Sequence, residues 1–222
     1  YCFLVVGSQP GLRINAFPIP EIPVSITLSH FTDRYHYEKD LVQLTKSGRQ
    51  WYGELFDVQT SYDFNLSLDG VEAGSKVWLR SAIVARAFTN SVMKVMAAGN
   101  TLLQQSVGSV PSSGLDAEYA KRVVDTTSFK VSGKDIKLSY QYLKPTNSAQ
   151  AWLDYFTINW QRALSFGSGQ MSFRQPLPFS NNDAVKYHIS NAPTSLEVWD
   201  ITDPTRPQYM QLQQSGNVAE FI

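Results

Sequence analysis

The chain has 222 residues, 43% apolar and 13% aromatic, with 19 Lys and Arg against 19 Asp and Glu and a formal net charge of zero. That supplies one large core or two small ones, and it leaves no global field to draw in DNA, RNA or anionic lipid. Charged residues are only 17% of the chain, below the usual share, so Ser, Thr, Asn and Gln carry much of the polar surface, as in many extracytoplasmic β proteins.

Taken in chain order, YCFLVVG reads as a strand, closed by Gly7 and the Gln9-Pro10-Gly11 turn. Pro18, Pro20 and Pro23 then force an extended path that cannot sit inside a sheet. SITLSHF alternates Ile26, Leu28 and His30 against Thr27, Ser29 and Phe31. The stretch YHYEKDLVQLTKSGRQWYGELFD, residues 35–57, is dense in aromatics and charge and holds no period for long. Gly48 and Gly53 give it backbone freedom, Trp51, Tyr52 and Phe56 can anchor it by burial, and Arg49 can bridge Glu54 or Asp57. It reads as a long pinned surface segment, suited to a domain contact; the plainer alternative is a cover for one sheet edge.

SYDFNLSL alternates Tyr62, Phe64, Leu66 and Leu68 against Asp63, Asn65 and Ser67, and ends at the turn signal Asp69-Gly70. KVWLRSAIVARAF predicts a longer strand with Val77, Leu79 and Ile83 on one side, and the run from Ser91 predicts a hairpin broken at Gly99-Asn100. A helix is conceivable only at LDAEYAKRVV, residues 115–124. KDIKLSYQYL places Ile136, Leu138, Tyr140 and Tyr142 on one face. AWLDYFTINWQRAL sets Trp152, Phe156, Ile158 and Trp160 in register, interrupted by Asp154, which is expected to meet Arg162 or another base; Leu153 and Tyr155 add bulk to the other side. Short strands follow in QMSFRQ, AVKYHIS, SLEVWDI and PQYMQLQ. In WDITDPTRP, Asp200 and Asp203 accept local N–H bonds while Pro204 and Pro207 remove donors, so it is a turn. The whole predicts a mostly β protein, an antiparallel β-sandwich of jelly-roll-like or Ig-like form, with room for a small additional β subdomain.

Catalytic chemistry is thin. There is no glycine-rich phosphate loop and no HExxH motif. His30, His36 and His188 are the three histidines, and a metal shared with Asp33 or Asp183 competes with the plainer structural role of strand histidines. Cys2, the single cysteine, allows no internal disulfide and no thiolate cluster, and as a nucleophile it sits in an apolar strand. No carboxylate pair is nominated for glycoside hydrolysis. Trp51, Trp78, Trp152, Trp160 and Trp199 make a sugar-binding platform thinkable, although three of them lie in periodic strands where an aromatic is usually core. No apolar run reaches the roughly 20 residues of a spanning helix. The sequence begins at Tyr1 without Met, and so reads as a fragment.

Three segments carry a family resemblance. The stretch at 35–57 is similar to the signature of PorU-type sortases of type IX secretion systems in Bacteroidetes, relatives of the gingipain cysteine peptidases; its candidate residues are Tyr35, His36, Tyr37, Glu38, Asp40, Gly48, Arg49, Trp51, Gly53, Glu54 and Phe56. AWLDYFTINWQRAL resembles a second motif of that family through Leu153, Asp154, Tyr155, Ile158, Asn159, Arg162 and Leu164. VWDITDPTRP resembles a third, with Asp200 and Asp203.

The resemblance implies a His–Cys peptidase that removes C-terminal secretion signals from surface cargo. Its catalytic domain would follow Ile222, and none of its catalytic residues maps onto His30, His36, His188 or Cys2. The expected layout is a β-sandwich accessory domain over residues 1–170 and short strands over 171–222 leading into the peptidase. The chain would then be a non-catalytic accessory region at the bacterial cell surface or outer membrane. It would need no cofactor and no metal, bind no nucleic acid and contain no transmembrane segment. Its partners would be its own peptidase domain, other secretion-system components and secreted cargo. The alternative is a surface carbohydrate or lipopolysaccharide binding module.

Overall fold

A computed structural model describes residues 7–8, 11, 13–46, 48–114, 118–174 and 184–222. The strand expected at residues 1–6, Cys2 and Asp183 lie outside them. The described strands run β1 (Asn15–Ala16), β2 (Val24–Leu28), β3 (His30–Glu38), β4 (Leu55–Phe56), β5 (Ser61–Ser67), β6 (Lys76–Arg86), β7 (Ser91–Ala97) and β8 (Asn100–Val107). They continue with β9 (Lys121–Lys130), β10 (Asp135–Leu143), β11 (Gln150–Ala163), β12 (Ala184–Ile189), β13 (Trp199–Asp200), β14 (Gln208–Tyr209), β15 (Gln213–Ser215) and β16 (Val218–Phe221). The chain divides into two compact units, Phe31–Ala163 and Tyr1–His30 with Leu164–Ile222. These boundaries differ from the layout read from the sequence, which drew a line near residue 170.

The unit of residues 31–163 is a β-sandwich. One sheet has the order β5-β10-β7-β8, the other β3-β11-β6-β9 with β4 also paired to β11. Period-2 alternation aims one face of each sheet inward. Phe64, Leu66, Met93, Val95, Leu138 and Tyr140 meet Val77, Leu79, Ile83, Leu153, Phe156 and Ile158 in one buried cluster. Phe156 is its hub, with Tyr37 stacked at 5.0 Å and Phe64 edge-on at 5.3 Å. A polar thread crosses this core: the Tyr140 hydroxyl donates to Ser81 Oγ at 3.0 Å, Ser81 Oγ donates to Gln105 Oε1 at 2.7 Å, and Gln105 Nε2 donates to the Ser81 carbonyl at 3.1 Å. Each polar group thus finds a partner away from water, and burial pushes the Tyr140 phenol well above its ordinary range.

The strands predicted at Tyr62–Leu68 and Ile136–Tyr142 are present with their apolar residues inward. The hairpin of β7 and β8 turns through Ala98 and Gly99, both at positive φ, one residue before the expected break. The sequence expectation at 152–160 needs correction. Leu153 pairs Ile83 and Tyr155 pairs Ala82, so Asp154 is an extra residue in β11, a β-bulge. It shifts the phase: Ala151 and Leu153 point into the core with Phe156, Ile158 and Trp160, while Trp152 packs on the other face with Tyr52 and Val84. The helix considered at 115–124 is also overturned in its described part, because Lys121–Val124 belong to β9. Val123, Val124 and the following threonines favour a pleated strand.

The unit formed by residues 1–30 and 164–222 holds two small sheets, β1-β14-β13 and β15-β16-β12-β2. Most pairs are antiparallel, but β1 with β14 and β12 with β2 run parallel. Ala184, Ile189, Ala219 and Phe221 are buried, and Tyr187 stacks on Phe221 at 4.9 Å. The strand expected in QMSFRQ is absent over Met171–Arg174, and in SLEVWDI only Trp199 and Asp200 pair. Among the described residues no helix is long and apolar enough to cross a membrane.

Candidate functional site

The segment that raised the functional question begins inside the sandwich and ends outside it. β3 sends Tyr35 and Tyr37 against Phe156, at 6.1 and 5.0 Å. Its alternate residues face outward: His36 Nδ1 lies 2.8 Å from Thr157 Oγ1, and His36 Nε2 lies 2.9 Å from Glu38 Oε2. Past Glu38 the chain leaves the sheet and returns as a long hairpin, closed by a bridge between Val42 and Tyr52. Gly53 N donates to the Leu153 carbonyl at 2.7 Å, and Leu153 N donates to the Glu54 carbonyl at 3.1 Å. A Cβ on Gly53 would stand 3.3 Å from the carbonyl oxygens of Leu153 and Lys39, so glycine lets the return strand close on β11.

Burial along the hairpin rises from the exposed tip at residues 48–51 to the buried base at Tyr52, Gly53 and Glu54. Tyr52 is buried and packs with Val42 and Leu44 over Val84 and Trp152. Trp51, expected to anchor the segment, faces outward and is 43% exposed, and Leu41 is also exposed. Gly48 takes a φ of 76° at the tip with open space around it. Arg49 is exposed there, and the carboxylates expected for it are held by others. Asp57 accepts bonds from Lys144 and from Gln150 Nε2 at 2.8 Å, contacts that hold its carboxyl below the ordinary range.

Glu54 Oε1 accepts from the Tyr37 hydroxyl and lies 3.2 Å from Lys39 Nζ, in a residue only 8% exposed. Burial first, then Glu54, raises the Tyr37 phenol. Glu54 Oε2 is buried without a partner among the described residues. The segment therefore has a fixed base and an open tip at Lys46, Gly48, Arg49, Gln50 and Trp51.

The second motif is built around the bulge. Asp154 Oδ2 accepts from Arg122 Nε at 2.7 Å, so its partner is Arg122 rather than Arg162. Burial raises the Asp154 carboxyl, Arg122 opposes this, and the nearby charges of Glu38 and Asp40 add to the rise. Arg162 instead pairs with Asp33 at 2.8 Å and lies over the Phe31 ring. It also packs on Gly70, where a Cβ would come within 2.8 Å of Arg162 Cγ, and Trp160 Nε1 donates to the adjoining Asp69 carbonyl at 3.0 Å. Asn159 stands level with Trp78 in β6.

The third motif is a turn held by its own side chains. Asp200 Oδ1 accepts Thr202 N, and Asp203 Oδ1 accepts Thr205 N, each at 2.9 Å. The Thr205 bonds lower the Asp203 carboxyl. Tyr35, His36, Tyr37, Glu38, Asp40, Glu54, Asp154 and Arg162 thus share the sandwich unit, whereas Asp200 and Asp203 stand in the other. Sequence reasoning considered Asp33 only as a metal ligand and missed Arg122 and Lys144; the partners of all three follow from strand register.

His30 Nδ1 lies 3.0 Å from Ser29 Oγ and His188 Nδ1 3.0 Å from Glu220 Oε1, local polar contacts like that of His36. Among the described residues no group of three or more His, Cys, Asp or Glu is placed to hold a metal ion.

No protein-family profile matches the chain, and no curated protein matches it in sequence. Among solved structures, it is similar to dimeric latent PorU from Porphyromonas gingivalis, with a TM-score of 0.80 and 18% identity over 95% of this chain and 20% of that one. The chain thus spans about a fifth of that structure's length. A carbohydrate-binding module of family CBM36, solved with calcium and xylotriose, matches 57% of this chain and 98% of its own with a TM-score of 0.39 and 8% identity. A family 35 carbohydrate-binding module from Clostridium thermocellum matches 57% of this chain and 90% of its own at 0.36 and 10%.

Proposed function

We propose that the chain is the non-catalytic accessory region of a gingipain-like cysteine endopeptidase that acts in a type IX secretion system at the cell surface. The observation that carries this reading is the fold likeness to PorU, with a TM-score of 0.80 over 95% of the chain. The three sequence motifs support it. Their polar residues are spent on holding structure: Asp154 with Arg122, Arg162 with Asp33, and Glu54 with Tyr37 and Lys39. In this reading the peptidase domain follows Ile222, and the exposed tip around Arg49 and Trp51 positions it for cargo whose C-terminal signals it removes.

The test uses the 222-residue chain and the full-length parent protein side by side. The isolated chain is expected to leave cargo signal peptides uncut. Arg49→Ala should leave the melting temperature of the isolated chain nearly unchanged, since exposed charges contribute about 1 kcal/mol or less, and should slow cargo maturation by the full-length protein. Normal maturation in that variant would remove the tip from the positioning role. Signal-peptide cleavage by the isolated chain would overturn the accessory reading.

A further inference from the structure

A groove of about 520 Å³ opens beside the sheet β1-β14-β13 and takes in Trp199, at the edge of the WDITDP turn. Trp199 and Tyr209 are direct partners across the antiparallel pair of β13 and β14. Directly opposed residues send their side chains to the same face. Both line the groove, and both remain about half exposed, at 49% and 44%. Ile14 closes one side, two residues before Ala16, which is level with Tyr209. Leu196, Val198, Met210 and Leu212 add apolar wall, and Thr194, Glu197 and Gln214 supply the polar groups. Gln214 is held in place by the bond from its Nε2 to the Pro193 carbonyl at 2.8 Å.

The chemistry of this lining selects a ligand. Trp199 and Tyr209 stand side by side on strands whose backbones lie about 5 Å apart, and together they offer aromatic surface on the scale of a pyranose. The C–H face of a sugar ring is apolar with slightly positive hydrogens, and it meets the negative face of an aromatic ring. Sugar hydroxyls at the ring's edge then need acceptors and donors, which a carboxylate, an amide and a hydroxyl supply. An apolar protein surface would instead bury the Glu197 carboxylate against carbon, at a large cost. Neither Lys nor Arg lines the groove among the described residues, and Glu197 repels acids. The volume lies in the range of small-molecule sites.

We propose that this groove binds a neutral oligosaccharide, with a pyranose ring stacked on Trp199 and Tyr209 and its hydroxyls bonded to Glu197 and Gln214. The inference goes beyond the accessory-region reading and is tested without any measurement of cargo processing. The 222-residue chain is titrated with cellotriose, mannotriose and xylotriose, and with trigalacturonate as the acidic counterpart, by calorimetry and tryptophan fluorescence. At least one neutral trisaccharide is expected to bind with Kd of about 1 mM or tighter. Trp199→Ala and Glu197→Gln should each weaken it by about tenfold or more, while Trp199→Phe retains most of the affinity. Gln214→Ala serves as a further check should Trp199→Ala lower the melting temperature. Binding of no neutral trisaccharide overturns the proposal. So does trigalacturonate binding as tightly as the neutral sugars, or affinity that survives both Glu197→Gln and Gln214→Ala.

Discussion

At Gly70 two demands coincide. Its φ is 64°, which L-residues other than Asn and Asp rarely adopt, and a Cβ there would meet Arg162 Cγ at 2.8 Å. Gly70→Ala should therefore lower stability by about 1–3 kcal/mol, read from urea unfolding; an unchanged midpoint would show that neither the positive φ nor the contact with Arg162 constrains this position. Asp57 gives a prediction in pH. Contact with Lys144, then with Gln150, holds its folded pKa below the ordinary value of 3.8. Its contribution is thus present above that value and lost as pH falls through the lower folded one. Asp57→Asn should be less stable than the parent chain at pH 7, by about 1 kcal/mol or less, and the gap should close as pH falls below 3.8 through the lower folded value. Asp154 works the other way, because burial raises its carboxyl and favours the folded state as pH falls. Such single-residue roles were only half legible in the sequence. Asp200 and Asp203 bond within their own turn, so local chemistry identified them. Asp154 was expected to meet Arg162, eight residues on, or another base, and register supplies the other base, Arg122 of β9, 32 residues away in the chain.

Among the elements, alternation was readable wherever a strand kept one phase. Tyr62–Leu68 and Ile136–Tyr142 do so, and their inward faces follow. β11 does not, because one inserted residue changes its phase midway, and an apolar sequence on both sides of the insertion gives no sign of it. The helix considered at 115–124 fails over Lys121–Val124 for a related reason. Lys121 and Arg122 have helical propensity, but pairing of β9 with β6 outweighs it. The β7–β8 hairpin offers a test of turn chemistry. Ala98 sits at a φ of 48°, at the first central position of a two-residue turn completed by Gly99. Asn tolerates that conformation far better than Ala. Ala98→Asn is expected to raise stability by about 1 kcal/mol, seen as a later urea midpoint with an unchanged slope.

On the scale of the whole molecule, the sequence suggested its β character and a sandwich from composition and alternation, but could not foresee that residues 1–30 and 164–222 form one unit. Contacts between the two ends of a chain leave no periodic trace. The continuous unit, Phe31–Ala163, owns two paired sheets and the larger core. A chain of residues 31–163 alone should therefore fold, giving a cooperative melt and a β-type circular dichroism spectrum; a featureless melt would show that it depends on the flanking segments.

The bonds at the base of the sandwich carry one more consequence. Gln161 Nε2 reaches Thr32 Oγ1 at 2.8 Å, and Arg162 pairs with Asp33 at 2.8 Å, so the first and last residues of the sandwich leave it side by side. Before it folds, pairing β2 with β12 means closing a loop that includes some 130 flexible residues, an entropic cost of about 4 kcal/mol from the length-dependent part alone. Once the sandwich forms, that length is gone, and the two strands meet as if joined by a short tether. β2 and β12 are therefore expected to pair after the sandwich has formed, and Arg162→Ala should delay amide protection in β2 and β12 without delaying it in β5 and β10.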